Sequence, residues 1–139
     1  MITYQRRLLR IQLIVIFSYF VIKFVIRPIV LENKYAGLVK IFVLSYPNFC
    51  EAVAGTIVLT FILLIINGRR GKEGFKLKEK HLYLIAVLIA GIYVLLQEFK
   101  IHNLGGINVY DPYDVIFSIV GLIVAFCLLI KIKPKYIER

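Results

Sequence analysis

The chain has no tryptophan, one methionine, two cysteines, two histidines and only eight acidic residues among 139. Two cysteines cannot build a framework of bridges, so a small disulfide-stapled scaffold is excluded. Cys50 and Cys127 also fall on different predicted helices near opposite membrane faces, and are expected to stay unbridged. No G-x-S-x-G, P-loop, H-x-x-x-H or paired C-x-x-C spacing occurs, so no catalytic or metal-binding motif can be read from the chain. What the sequence has in excess is apolar: 60% hydrophobic residues against 19% charged, far from the composition of a soluble globular domain. A soluble enzyme and a disordered tail are excluded with it.

The apolar excess is gathered into four runs, each near the length that a helix rising about 1.5 Å per residue needs to cross roughly 30 Å of hydrocarbon. The expected fold is all-α: one polytopic transmembrane domain over residues 1–139, with spans at about 8–26, 47–66, 81–99 and 112–132. The first run follows Arg6, Arg7 and Arg10, as in a signal peptide. No small-x-small cleavage site follows it, so an uncleaved helix is expected, ending at Arg27-Pro28. Residues 35–45 are too short to span and carry Lys40 among apolar neighbours, which reads as a short interfacial or re-entrant helix, or else an irregular loop over the bundle. Ser45 and Pro47 suit the start of the second span, and Asn67-Gly68 its end. Asp111-Pro112 opens the fourth span and Pro134 stops it.

Four spans put both termini and the 69–80 loop on one side. The amino terminus supplies three Lys and Arg, the middle loop six and the carboxyl terminus four, which is 13 of the 18. Short loops rich in Lys and Arg stay in the cytoplasm, so the expectation is an inner-membrane protein with both termini cytoplasmic. Five of the eight acids (Glu32, Glu51, Glu98, Asp111 and Asp114) fall on the other side. The net charge of +10 then lies wholly on the cytoplasmic face, where it attracts anionic lipid and removes any need for nucleic acid as a partner. Tyrosines near both faces, such as Tyr46, Tyr113 and Tyr83, suit an interfacial belt.

Three acids lie inside or at the ends of spans: Glu51, Glu98 and Asp114. An ionisable residue there usually faces the bundle or a wet cavity. Each stands above small residues at helical spacing, Asp114 above Ser118, Gly121 and Ala125, Glu51 above Gly55, and Glu98 above Gly91 and Ala90. Such stripes let helices approach closely, so the three acids are expected to converge in an outward-facing pocket with Ser118 and Gly121 beneath. Asp111, Pro112 and Asp114 also match the N-cap, N1 and N3 positions of a helix, and for Asp111 the cap is the favoured role. His102 with Glu98 and Asp114 has the ligand types for a divalent cation without the spacing of a metal motif, so no metal or other cofactor is expected.

The order Leu96-Gln97-Glu98-Phe99, Gly105-Gly106, Tyr110, Asp111, Asp114, Ser118 and Gly121 resembles the signature of VanZ-like membrane proteins over roughly residues 96–125. An arginine common in that family's loop is absent, with Lys100 nearest to it. The resemblance implies a bacterial cell-envelope protein from a family named for glycopeptide-antibiotic resistance, whose biochemical activity is not settled. Three functions stay open on sequence. One is an acidic outer pocket for an envelope ligand or partner. Another is an enzyme on a lipid or lipid-linked substrate, with Glu98 or Asp114 as general base. The third is a subunit of a transporter, membrane assembly or oligomer.

Overall fold

Inside hydrocarbon a backbone amide has only its own chain to pair with, and all four apolar runs are helical. The computed structural model describes residues 2–3, 5–33, 37–70, 77–98 and 111–136. Helix α1 (Gln5–Val21) passes through a π-helical turn (Ile22–Ile26) into α2 (Arg27–Glu32); α3 (Leu38–Arg70), α4 (Glu79–Glu98) and α5 (Pro112–Ile132) follow. Strands β1 (Ile2–Thr3) and β2 (Lys135–Tyr136) pair antiparallel and join the two chain ends. Four helices, Arg6–Glu32, Leu38–Arg69, Glu79–Gln97 and Pro112–Ile132, are long and apolar enough to cross a bilayer, which is the build of a multi-pass membrane protein.

Three boundaries differ from the sequence reading, two of them at prolines. Arg27-Pro28 does not end the first helix. The π turn inserts a wider loop of backbone in which the Arg27 amide donates to the Ile22 carbonyl, and Pro28 then falls in the first turn of α2, where its missing N–H is no loss. The helix stops at Glu32, where Asn33 bonds the Ile29 carbonyl through both its backbone amide (3.1 Å) and its Nδ2 (2.9 Å). Residues 38–45 are not a separate interfacial helix or a loop: they are the first two turns of α3, which runs unbroken through Pro47, with residues 34–36 outside the described set. Pro47 cannot donate to the Val43 carbonyl, yet the apolar stretches on both sides gain more by staying helical than by opening ends to lipid. At the far end α3 runs past Asn67-Gly68 to Arg70. The spans from α4 and α5 lie within two residues of their expected limits.

α3 is the centre of the bundle, packed on α1, α4 and α5. One core cluster joins Leu8 of α1, Ile57 and Leu64 of α3, Leu82 and Tyr83 of α4, and Ala125 and Leu129 of α5. A second joins Ala52, Ala90, Val94 and Leu122. Ala52, Ala90, Gly91, Gly121 and Ala125 lie in these seams, but Gly55 does not: a Cβ there would meet nothing within 4 Å, so the expected stripe below Glu51 is no helix contact. A Cβ on Gly121 would stand 2.6 Å from the Phe49 carbonyl oxygen and 2.9 Å from the Ala52 Cβ, so α5 touches the α3 backbone there; a Cβ on Gly91 would stand 3.2 Å from Leu122. α1 is peripheral. Leu8 is its one fully buried residue among those described, while Leu13, Ile14, Phe17 and Phe20 point outward, as suits a helix with lipid on one side.

Candidate functional site

The amino-terminal end of α5 is set by Asp111. It sits in extended backbone (φ −122°, ψ 117°), and its Oδ1 accepts from the Tyr113 amide at 2.9 Å, while its carbonyl accepts from the Asp114 amide at 3.1 Å. Asp111 is thus a helix cap, and Pro112 fills N1, where no amide partner is needed. Asp114 in the first turn gains from the positive end of the helix as well.

From Asp114 the α5 face turned to α3 descends through Ser118, Gly121 and Ala125, all buried. Opposite the Asp114 carboxyl stand Ser45 and Asn48 of α3, one turn apart, with Arg27 at the start of α2 and Asp111 also in electrostatic range. The cluster therefore sets one guanidinium against two carboxylates. Its defining feature is weak pairing: Asp114 Oδ1, Ser45 Oγ and Ser118 Oγ are all buried with no hydrogen bond of ordinary length and angle, although Ser45 and Asn48 stand close enough to interact with the Asp114 carboxyl. Ser45 and Ser118 are wholly inaccessible. Buried polar atoms nearly always find a partner, because leaving one bare costs about 1–3 kcal/mol. Other buried hydroxyls here follow the rule, with Thr56 donating to the Ala52 carbonyl and Thr60 to the Thr56 carbonyl, each at 2.8 Å. The unsatisfied oxygens gather around Asp114, save for Gln12 Oε1 on α1.

Glu51 is elsewhere. Gly121 meets α3 at Phe49 and Ala52, and at about 100° per residue Glu51 is turned a quarter of the helix or more away from that contact. It opens instead into a cavity of about 220 Å³ between α3 and α1, walled by Val15, Ile16, Tyr19, Phe20 and Ala54 with Cys50 beside it. The backbone of Glu98 ends α4, and its side chain lies outside the described residues, as do Lys100, His102, Gly105 and Gly106. Of the six residues singled out from sequence, the structure brings Asp111, Asp114, Ser118 and Gly121 onto one end and face of α5 and leaves Glu51 in a different cavity. Sequence reasoning missed Ser45 and Asn48 as site residues and took Arg27 for a terminator. Their signal is the three-residue spacing of Ser45 and Asn48, visible only if α3 is helical through Pro47.

A polar chain links α1 to α3 nearby: the Tyr46 hydroxyl donates to Ser18 Oγ at 3.1 Å, and Ser18 donates to the Val15 carbonyl at 2.8 Å. Beside it Phe42, Tyr46, Phe49 and Phe117 pack ring to ring, Phe42 edge-on to Phe117 and the other pairs tilted, around an apolar cavity of about 230 Å³. Cys50 and Cys127 are both free thiols. Among the described residues no three His, Cys, Asp or Glu side chains gather where they could hold a metal ion.

No protein-family model matches the chain, and neither a curated protein nor a solved structure matches it.

Proposed function

We propose that this is a small multi-pass protein of the cytoplasmic membrane, with both termini cytoplasmic, that presents the Asp114 pocket at the outer face to a ligand or partner of the cell envelope. The carrying observation is the buried polar group of Asp114, Ser45 and Ser118, three oxygens with no hydrogen bond of ordinary length and angle. Maintaining them costs stability, which is reasonable where a ligand supplies the missing donors. Arg27 and Asn48 complete a mixed polar surface, so the ligand carries hydroxyl or amine donors for Asp114 and an acceptor for Arg27. The orientation follows from the basic excess at the other end, where exposed Arg6, Arg7, Arg10, Arg69 and Lys131 suit a cytoplasmic face in contact with anionic lipid. The order of Glu98, Asp111, Asp114, Ser118 and Gly121 supports a VanZ-like envelope role.

The test is complementation of a deletion strain under a cell-wall-directed antibiotic. Asp114→Asn and Ser118→Ala should insert and fold yet fail to complement; full complementation by both variants defeats the site. Cysteine labelling from outside should miss a probe at Gly74 and reach one at Gly106. The reverse pattern defeats the topology.

A further inference from the structure

The α1/α3 cavity is chemically unlike the Asp114 pocket. Its walls are aliphatic and aromatic, from Val15, Ile16, Ala54, Tyr19 and Phe20, and Glu51 is the one ionisable carboxyl group in it. Glu51 has no hydrogen-bond or ion-pair partner among the described residues. It sits within a membrane-crossing helix, one turn beyond Asn48 from the polar end, where a bare carboxylate is costly. Side chains lean toward the amino-terminal end of their helix, so Glu51 leans back toward that end of the cavity. The outer edge of the cavity is formed by Ile16 and Phe20, which are exposed on α1, so it opens to the side, where lipid would lie, rather than into the bundle.

One wall residue already holds a cation. The Lys23 ammonium donates to the Tyr19 hydroxyl and lies 4.8 Å from the centre of that ring. Aromatic faces attract cations most strongly when water is excluded. Lys23 bonds Tyr19 and makes no ion pair with Glu51, which has no positive partner among the described residues. An acceptor-only carboxylate, aromatic rings and an apolar trough together match a positive head on an apolar tail.

We propose that the α1/α3 cavity is a laterally open binding site for an amphiphilic cation, an alkylammonium whose head pairs with Glu51 while its chain lies along Val15, Ile16 and Ala54. The site is separate from the Asp114 cluster, which lies between α3 and α5.

The probe is radiolabelled dodecyltrimethylammonium, compared with its uncharged isostere in which carbon replaces nitrogen, on full-length protein in nanodiscs of zwitterionic lipid. The wild type should bind the cation saturably and at least about tenfold more tightly than the neutral compound. Glu51→Gln should abolish that preference, and Asp114→Asn should leave it unchanged. Ala54→Phe, which keeps the acid but fills the trough, should remove saturable binding of both compounds, and it decides the matter if Glu51→Gln does not fold. Equal binding of the two compounds by the wild type overturns the proposal. So does a preference that survives Glu51→Gln, saturable binding that survives Ala54→Phe, or a preference that Asp114→Asn removes, which would move the cation to the other pocket.

Discussion

The two ends of the bundle treat their buried polar groups in opposite ways. At the basic end the bonds close. The Tyr83 hydroxyl, buried in the core, donates to the Pro134 carbonyl at 2.6 Å, and the Asn67 amide grips Leu77 twice, donating to its carbonyl at 3.1 Å and accepting from its amide at 3.0 Å. Lys133 takes the left-handed conformation (φ 50°), and its amide closes α5 on the Leu129 carbonyl at 2.8 Å. The β1–β2 pairing adds a final tie. At the Asp114 end, Ser45, Ser118 and one Asp114 oxygen are buried without a well-formed hydrogen bond, and both long helical segments carry a proline, Pro28 and Pro47. Burial alone does not distinguish the ends; satisfaction does. The basic end is built to be stable, and the Asp114 end tolerates defects that a purely structural end would have lost.

The contrast is open to mutation. The largest effect is expected at the seam between the two ends: Gly121→Val drives new methyl groups into the Phe49 carbonyl and should cost at least about 3 kcal/mol, and Gly121→Ala about 1–3 kcal/mol, read as loss of thermal stability in detergent. Asn67→Ala strands the Leu77 amide and carbonyl, and Tyr83→Phe strands the Pro134 carbonyl; each should destabilise by about 1–3 kcal/mol in the same assay. Smaller still, and opposite in sign, Ser118→Ala removes a hydroxyl that has no partner and should be neutral or stabilise by up to about 1 kcal/mol. If Ser118→Ala instead destabilises as much as Asn67→Ala, the two ends do not differ as described. The smallest effect is expected from Asp111→Asn: asparagine caps as well as aspartate, so stability should change by less than about 0.5 kcal/mol, whereas Asp111→Ala should cost about 1 kcal/mol.

Much of this was legible because hydrocarbon thickness is a ruler. Lengths of apolar runs suffice to find four helices, and α5 is bounded at both ends by residues with a mechanical reason to be there, Asp111-Pro112 and Lys133-Pro134. The prolines at 28 and 47 misled for a physical reason. A proline breaks a helix in water because water takes up the freed carbonyl and the exposed ends; in an apolar setting a break costs more than one missing bond, so the π turn and the continuous α3 absorb them. The same error hid half of the site, since Ser45 and Asn48 face Asp114 only from within a helix. Asp114, Ser118 and Gly121 were readable as a stripe, with spacings that turn all three to α3. For Glu51 neither depth nor azimuth was readable: a span starting near Pro47 sets it level with Asp114, whereas the contact of Gly121 with Phe49 and Ala52 sets it about two turns deeper, and whether it faces α5 or α1 depends on where its neighbours pack, which one sequence does not state.

The length of α3 has a mechanical consequence. Its 33 residues make a rod of about 50 Å, against about 30 Å for α4 and α5, which already match an ordinary bilayer. A thicker or thinner membrane leaves the two short helices to set the local fit and changes how far α3 leans or protrudes, at a fraction of a kcal/mol per Å. Because α3 carries Ser45 and Asn48 while α5 carries Asp114, and the two helices are pinned together at Gly121, a change in lean is expected to alter the spacing of these three side chains about that point. The overhang is then a lever, and reconstitution in short-chain and long-chain lipids tests it without altering a residue.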